Sequence, residues 1–412
     1  MIGSEMIPLL RKQNHAYWIA LSMKMLHGLG WFLVFPIMPV HARQLGASPL
    51  IVGLLMATPA IFQMSIPLLG GTITAQLGKK RMFRWAFTAG ILSAGVYFAA
   101  PQYLWLFLGQ VLLGTSHAFF EPCFGAHLAD LAGPEETSRL LGFAMGLHAI
   151  NAMVGPATAG YLIHGLNPGA VFMLYLFIMC LGLGLAYFLP ATDSIQQDFR
   201  MAQLISTSRQ DNRIAVRSKA VRFALFSSWT MFISWAVFDS FFPIYTEDLG
   251  HSVRLLGLFL MIRGVASAVV RFTAGPLVNL LGLKKLISAA LLTSSFSFVA
   301  LPFISSPMAI LGISLMSGIA PGIIPVASAA LIAEGLPRRH RPVGMALNQT
   351  FVGFGRLTGS SVFGYVTETQ GSHVTFTSAA AVIAICTAAL AAIGRTPAGE
   401  TEEDASEPTK NS

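Results

Sequence analysis

Gln110, Gly114, His117 and Glu121 follow one another at i, i+4, i+7 and i+11, a spacing that sets all four along one face of a helix. Lys24, His27 and Trp31 form a second such stripe, Arg263, Ser267 and Arg271 a third, and Gln349, Gly353 and Arg356 a fourth, while Asp239 stands one turn after Trp235. All these groups fall inside long apolar runs, where burying a charge costs about 2.5–3.5 kcal/mol on insertion scales. Ionisable side chains kept at that cost carry a proton, hold a charged ligand or neutralise one another. Glu121, Asp239 and His117 are the candidates for proton coupling. Lys24, His27, Gln110, Asn151, Arg263, Gln349 and Arg356 are the candidates for lining a solute cavity. His27, His117 and His148 also suit a plainer role as hydrogen-bonded interior histidines. Four intramembrane cations (Lys24, Arg263, Arg271, Arg356) face two carboxylates (Glu121, Asp239), an excess that favours an anionic or zwitterionic solute. Arg271, one turn before Gly275, is expected to snorkel toward the loop face instead. No HExxH, GxSxG, phosphate loop or paired catalytic carboxylates occur, so no catalytic residue is assigned, the chain is not read as an enzyme, and no cofactor or metal is called for.

The elements that must position these groups are legible in composition. Of 412 residues 54% are hydrophobic and only 11% charged, with mean hydropathy +0.65; soluble domains carry about 25% charged residues. Twelve apolar segments, at 16–40, 50–77, 82–100, 102–130, 139–164, 169–190, 221–246, 253–280, 286–304, 306–334, 342–366 and 373–394, approach or exceed the roughly 20 residues that cross a bilayer as helix. The first ends near Val40-His41-Ala42, which faintly resembles a cleavage site, but its length exceeds a signal sequence and it is read as a retained span.

The net charge of +8 follows the loops. With the N-terminus inside, Lys79, Lys80, Arg81, Arg84, the arginines of 200–222, Lys284, Lys285, Arg338, Arg339 and Arg341 all fall on one side, and the other side has only Arg43 and Arg254. This asymmetry predicts a multi-pass inner-membrane protein with both termini cytoplasmic, and leaves no basic patch for nucleic acid. Cys123, Cys180 and Cys386 lie within spans and indicate neither disulfides nor a metal site.

The chain repeats itself at an offset of 204. Met38-Pro39-Val40 through Gly46 aligns with Phe242-Pro243-Ile244 through Gly250, and Gly53, Gly71, Gly78, Lys80 and Asp130 map onto Gly257, Gly275, Gly282, Lys284 and Glu334 without a gap. The expected units are therefore residues 1–190, a polar linker at 191–220, residues 221–394, and an acidic tail at 395–412 that cannot bury a core.

Twelve spans in two halves, with a repeated glycine-basic loop after the second span of each, resemble the major facilitator superfamily over almost the whole chain. Its loop signature, Gly-x-x-x-Asp-Arg-x-Gly-Arg-Lys, is met by Gly71, Gly78, Lys79 and Lys80, with Ala75 and Gln76 at the acidic and basic positions and Asn279 at the acidic position of the second copy that runs from Gly275 through Gly282 and Lys284. Span five, with Gly142, Asn151 and Gly155-Pro156-Ala157-Thr158-Ala159-Gly160, is similar to the pattern of proton-coupled antiporters, with Asn151 and Ala159 replacing glycines. The resemblance implies an all-α membrane fold of two pseudo-symmetric six-helix bundles, and proton-coupled export of a small solute by alternating access. Uptake by symport is the alternative, a non-transporting membrane sensor a third reading. The implied partners are the solute, protons and lipid, with the chain acting as a monomer. In that fold spans one and four both face the cavity, and Lys24 and Glu121 lie about 10 and 13 Å from the same end at 1.5 Å per residue. They are expected to meet, with Glu121 either a proton carrier or a permanent partner of Lys24. Pro122 next to it offers a bend that aims the carboxylate inward.

Overall fold

The computed structural model describes residues 14–131, 134–189, 214–337 and 340–395, and every element among them is helical. The first half comprises α1 (Asn14–Val34), a 3-10 turn (Phe35–Ile37), α2 (Met38–Gln44), α3 (Pro49–Leu77), α4 (Lys79–Ala99), α5 (Tyr103–Leu131), α6 (Pro134–Gly165) and α7 (Pro168–Phe188). The second comprises α8 (Lys219–Asp248), α9 (Val253–Leu281), α10 (Leu283–Ala300), a 3-10 turn (Leu301–Phe303), α11 (Pro307–Ser317), α12 (Ile319–Gly335) and α13 (Arg341–Arg395). Most of the linker expected at 191–220 and the tail after 395 lie outside the described residues.

Eight helical stretches among the described residues are long and apolar enough to cross a bilayer by length and composition. One of them, Val343–Ala392, contains Gly371 in a non-helical conformation (φ 82°, ψ 170°), so α13 is two crossings joined at a glycine. The first and tenth expected spans are also interrupted, at the 3-10 turn beside Pro36 and at Gly318, giving α1–α2 and α11–α12. The architecture is all-α, with twelve crossings in two pseudo-symmetric bundles.

Why the chain turns where it does is local chemistry. Gly46 and Gly250 close matching turns at φ 87° and 79°, and Gly78 and Gly282 do so at 78° and 75°, a region that costs other residues strain. The Ser48 hydroxyl accepts the Ile51 N–H at 3.5 Å, and its repeat image Ser252 accepts the Leu255 N–H at 3.3 Å. Inside, Phe83, Phe87, Tyr97, Phe172 and Tyr175 fill the first bundle, and Phe241, Phe242, Phe259 and Phe376 the second, all essentially inaccessible. Outside, Trp85, Phe98, Phe188, Phe272 and Phe303 stand exposed, the surface expected of a protein whose solvent is lipid.

The halves meet along two long helix crossings, α3 with α13 and α6 with α9. Small residues permit both. A Cβ on Gly160 would come 2.7 Å from the Val253 carbonyl oxygen, and one on Gly364 3.3 Å from the Gly53 Cα.

Candidate functional site

A cavity of about 90 Å³ lies between the halves. Trp31, Phe32, Phe35, His117, His148 and Pro156 line it from the first half; Trp235, Asp239, Leu260, Arg263, Ser267 and Arg356 line it from the second. Trp31 stacks on Phe35 (centroids 4.7 Å apart, planes at 17°), and Trp235 lies parallel to Phe232 (5.4 Å, 3°), so two flat aromatic walls enter from opposite sides.

The first half carries its charges just beyond His117. Lys24 Nζ donates to both Glu121 carboxylate oxygens, at 2.5 and 2.6 Å, as the matching depths on α1 and α5 led one to expect. Lys24 is buried, with Phe120 and Phe124 rings within 6 Å of its ammonium, whereas the Glu121 side chain remains 35% exposed. His27 is buried, stacks on Phe120 at 4.1 Å and shares a 3.2 Å hydrogen bond with Ser116. His27, His117 and Glu121 offer atoms within 4.8 Å of one another, a grouping that could suit a divalent ion. The Lys24 ammonium already occupies that carboxylate and opposes a second cation there.

In the second half, Arg263 donates to Asp239 at 2.6 Å, the other Asp239 oxygen accepts the Trp235 indole N–H, and both charged side chains are nearly buried. Arg263 also covers the Phe238 ring at 4.3 Å. Arg356 donates to Gln63 Oε1 at 3.1 Å, across from α13 to α3. Gln63 escaped the sequence reading, although the repeat carries Ser267, a recognised stripe residue, onto it.

Several expected cavity residues sit elsewhere. Gln110 is fully buried with neither amide atom partnered among the described residues, and does not line the cavity. Its helix turns toward α3 at this level, where Gly114 packs on Pro59. Asn151 is a strut, donating to the Met25 carbonyl at 3.2 Å beneath Gly28. Gln349 is exposed outside the cavity lining, because the turn at Gly353 presses on Met64 of α3. Arg271 bonds the Pro321 carbonyl at 3.3 Å rather than only reaching for the loop face. Gly155 backs onto Phe32, and Pro156 both lines the cavity and abuts Gly257. Of the loop residues, Lys79 donates to the Ala126 carbonyl at the end of α5, Lys80 is half-buried, and Gly275 and Lys284 are exposed. Gly71 falls where no side chain is described, as do Ala75, Gln76 and Asn279.

The end of the molecule remote from the basic loops is closed by contacts that sequence reasoning missed. Arg43 meets Asp248 at 2.6 Å. Glu368 accepts the Ser48 hydroxyl at 2.6 Å and the Leu50 N–H at 2.8 Å. These two donors, the hydroxyl first, hold the Glu368 carboxyl below the usual carboxylate range. Arg43, Asp248 and Glu368 are charges of ordinary type within helices, and only their pairing across halves distinguishes them.

This geometry has recognisable relatives. The chain is 23% identical over 309 residues to Multidrug resistance protein 2 of Bacillus subtilis, covering 73% of this chain and 74% of the relative. It is 22% identical over 356 residues to the multi-drug resistance efflux pump PmrA homolog of Lactococcus lactis, covering 82% and 86%. Among solved structures it superposes on nucleoside transporter NupG with a TM-score of 0.76 at 13% identity, over 92% of this chain and 100% of that one. The Major Facilitator Superfamily pattern matches at residues 20–245 and again at 224–412, two matches that begin 204 residues apart, as the internal repeat requires. With both halves matched and both bundles in place, the chain belongs to the Major Facilitator Superfamily, a family of transporters rather than enzymes.

Proposed function

We propose that this protein exports a small organic solute, a drug or metabolite, across the inner membrane by proton antiport, with Glu121 carrying the proton. The observation that carries this reading is the Lys24–Glu121 pair, a buried cation against a carboxylate that keeps partial access and stands one turn beyond the cavity residue His117. A carboxylate that alternates between a proton and its lysine partner changes the charge beside the cavity by one unit, with no ion needed but the proton. Asp239, on the opposite wall with Arg263, is the second candidate carrier, and His117 the third. Export draws support from the relatives named as multidrug resistance and efflux pumps. The excess of basic residues in the loops of Lys79, Lys80, Lys284 and Lys285 supports reading that side as cytoplasmic. The contacts at Arg43 and Glu368 then close the outer face, and residues 1–190 and 221–394 rock as bodies about the linker 191–220, with the tail 395–412 taking no part and the chain working as a monomer.

One observation favours a second reading, uptake by proton symport. Arg356 gives the cavity an excess positive charge. A solute anion bound there and a proton on Asp239 stabilise each other, so the two would move together.

Acid-loaded inside-out vesicles carrying a pH-sensitive dye separate these readings when candidate drugs and metabolites are added to wild type and Glu121→Gln. Solute-dependent proton release that disappears in Glu121→Gln supports antiport. Proton movement with solute only in right-side-out vesicles replaces it with symport. Silence in both orientations across the panel removes the coupling reading.

A further inference from the structure

The cavity's charges do not balance. Lys24 is engaged by Glu121 and Arg263 by Asp239, but Arg356 makes no ion pair among the described residues. A guanidinium offers five N–H donors, and the hydrogen bond it makes here goes to a neutral amide, Gln63. Its other neighbours are ring faces: Phe232 at 5.2 Å, Trp235 at 5.9 Å and Trp31 at 6.0 Å. Asp239 attracts Arg356 without pairing with it, and each oxygen of that carboxylate already accepts a hydrogen bond, one from Arg263 and the other from the Trp235 indole. The guanidinium therefore faces the cavity with donors to spare, at the place where both halves contribute a tryptophan.

We infer that the cavity recognises a small aromatic carboxylate, its carboxyl group on Arg356 and its ring between Trp31 and Trp235. The inference rests on reading this cavity as the solute site, and holds for either direction of transport. A carboxylate matches the guanidinium fork with two parallel hydrogen bonds and removes the single excess charge. An organic cation fits poorly, because both carboxylates are held by cations and Arg356 would repel it. The walls suit a flat ring: Trp235 is fixed by its N–H on Asp239 and backed by Phe232, and Trp31 is backed by Phe35. The volume of about 90 Å³ is well below the roughly 300–1,000 Å³ of drug-sized pockets, which restricts the closed form to about one ring.

The test uses the full-length purified protein in detergent and equilibrium dialysis of benzoate, phenylacetate and 4-hydroxybenzoate, with benzamide and benzylamine as the neutral and cationic analogues. At least one of the three acids should bind at least tenfold more tightly than benzamide or benzylamine. Its affinity should fall at least tenfold in Arg356→Gln, recover in part in Arg356→Lys and stay unchanged in Arg254→Gln. Absence of binding by all three acids, equal binding of benzamide, or unchanged acid affinity in a folded Arg356→Gln protein overturns the inference. Should Arg356→Gln not fold, the acid-to-amide ratio in wild type and the loss in Trp31→Ala decide it. Acid binding without proton coupling in vesicles removes only the proposed coupling, and proton-coupled movement of other solutes without acid binding removes only this inference.

Discussion

Gly257 lies against Gly160 where α9 crosses α6, so closely that a Cβ added to Gly257 would stand 2.6 Å from the Pro156 carbonyl oxygen and 3.1 Å from the Gly160 Cα. The internal repeat carries both partners forward or back by 204 positions to Gly53 and Gly364, and there too a Cβ on Gly53 would strike the Ser360 carbonyl and come 3.0 Å from the Gly364 Cα. The two halves are thus clamped by one contact made twice. Both copies lie toward the end closed by Arg43 and Asp248.

Overfilling either clamp should open that end. Gly257→Val forces backbone apart at a cost of about 1–3 kcal/mol to the closed form, and each 1.4 kcal/mol is tenfold in population. A single cysteine placed at Phe35, in the cavity, should label at least several-fold faster from the Arg43 face in Gly257→Val, and equally so in Gly53→Val. Unchanged labelling in both variants would show that the glycines are only packing residues.

The acid–base pairs predict a graded response to truncation. Removing one partner of a buried pair costs about 3–5 kcal/mol, because the other is left uncompensated. Arg263→Met and Asp239→Leu, whose native side chains are only 11% and 15% exposed, should therefore melt lower than Lys24→Met, which leaves behind the Glu121 carboxylate, 35% exposed and able to fall back on solvent. The double variant Asp239→Leu/Arg263→Met should be more stable than either single one. Thermal melting in detergent that finds the two losses additive would refute the pairing as the source of stability.

How far the sequence reached depended on whether a residue's partner was fixed by its own helix. Spans, turns and the repeat were legible because they follow from hydropathy and from glycines such as Gly78 and Gly282 that must adopt positive φ. The meeting of Lys24 and Glu121 was legible because depth along a helix is simple arithmetic and the resembled fold turns spans one and four to the same cavity. Helix rotation was not: Gln110 and Gln349 share a stripe with true cavity residues, yet tight approaches at Gly114 and Gly353 turn those levels toward α3. Nor was the pairing of Arg43 with Asp248, 205 residues apart, since nothing local distinguishes those helix-end charges from others.

Asn151 illustrates the distinction between lining and bracing. Its amide donates to the Met25 carbonyl and fills the space left by Gly28, away from the cavity. Asn151→Ala should lower stability by about 1 kcal/mol, the net worth of one hydrogen bond, while leaving solute affinity within twofold. A tenfold loss of affinity at unchanged melting temperature would return Asn151 to the cavity.

Glu368 sets a pH window for the closed end, and its sign is fixed by the contact. Because the Ser48 hydroxyl and Leu50 N–H hold its carboxyl below the usual range, the contact is complete above the ordinary glutamate value of about 4.3 and is lost as pH falls through the lowered one. Acidity at the Arg43 end between pH 6 and 8 should therefore leave this latch intact, and the proton-driven opening proposed above would have to begin elsewhere, at Glu121 or Asp239. Any pH dependence that labelling of the cysteine at Phe35 shows from the Arg43 face between pH 8 and 5 should survive in Glu368→Gln, because it arises elsewhere than at this contact. Glu368→Gln, which keeps shape but loses the charge that strengthens both hydrogen bonds, should raise labelling equally at every pH in that range. A Glu368-dependent step in labelling near neutral pH would overturn this assignment and make the latch at the Arg43 end itself a sensor.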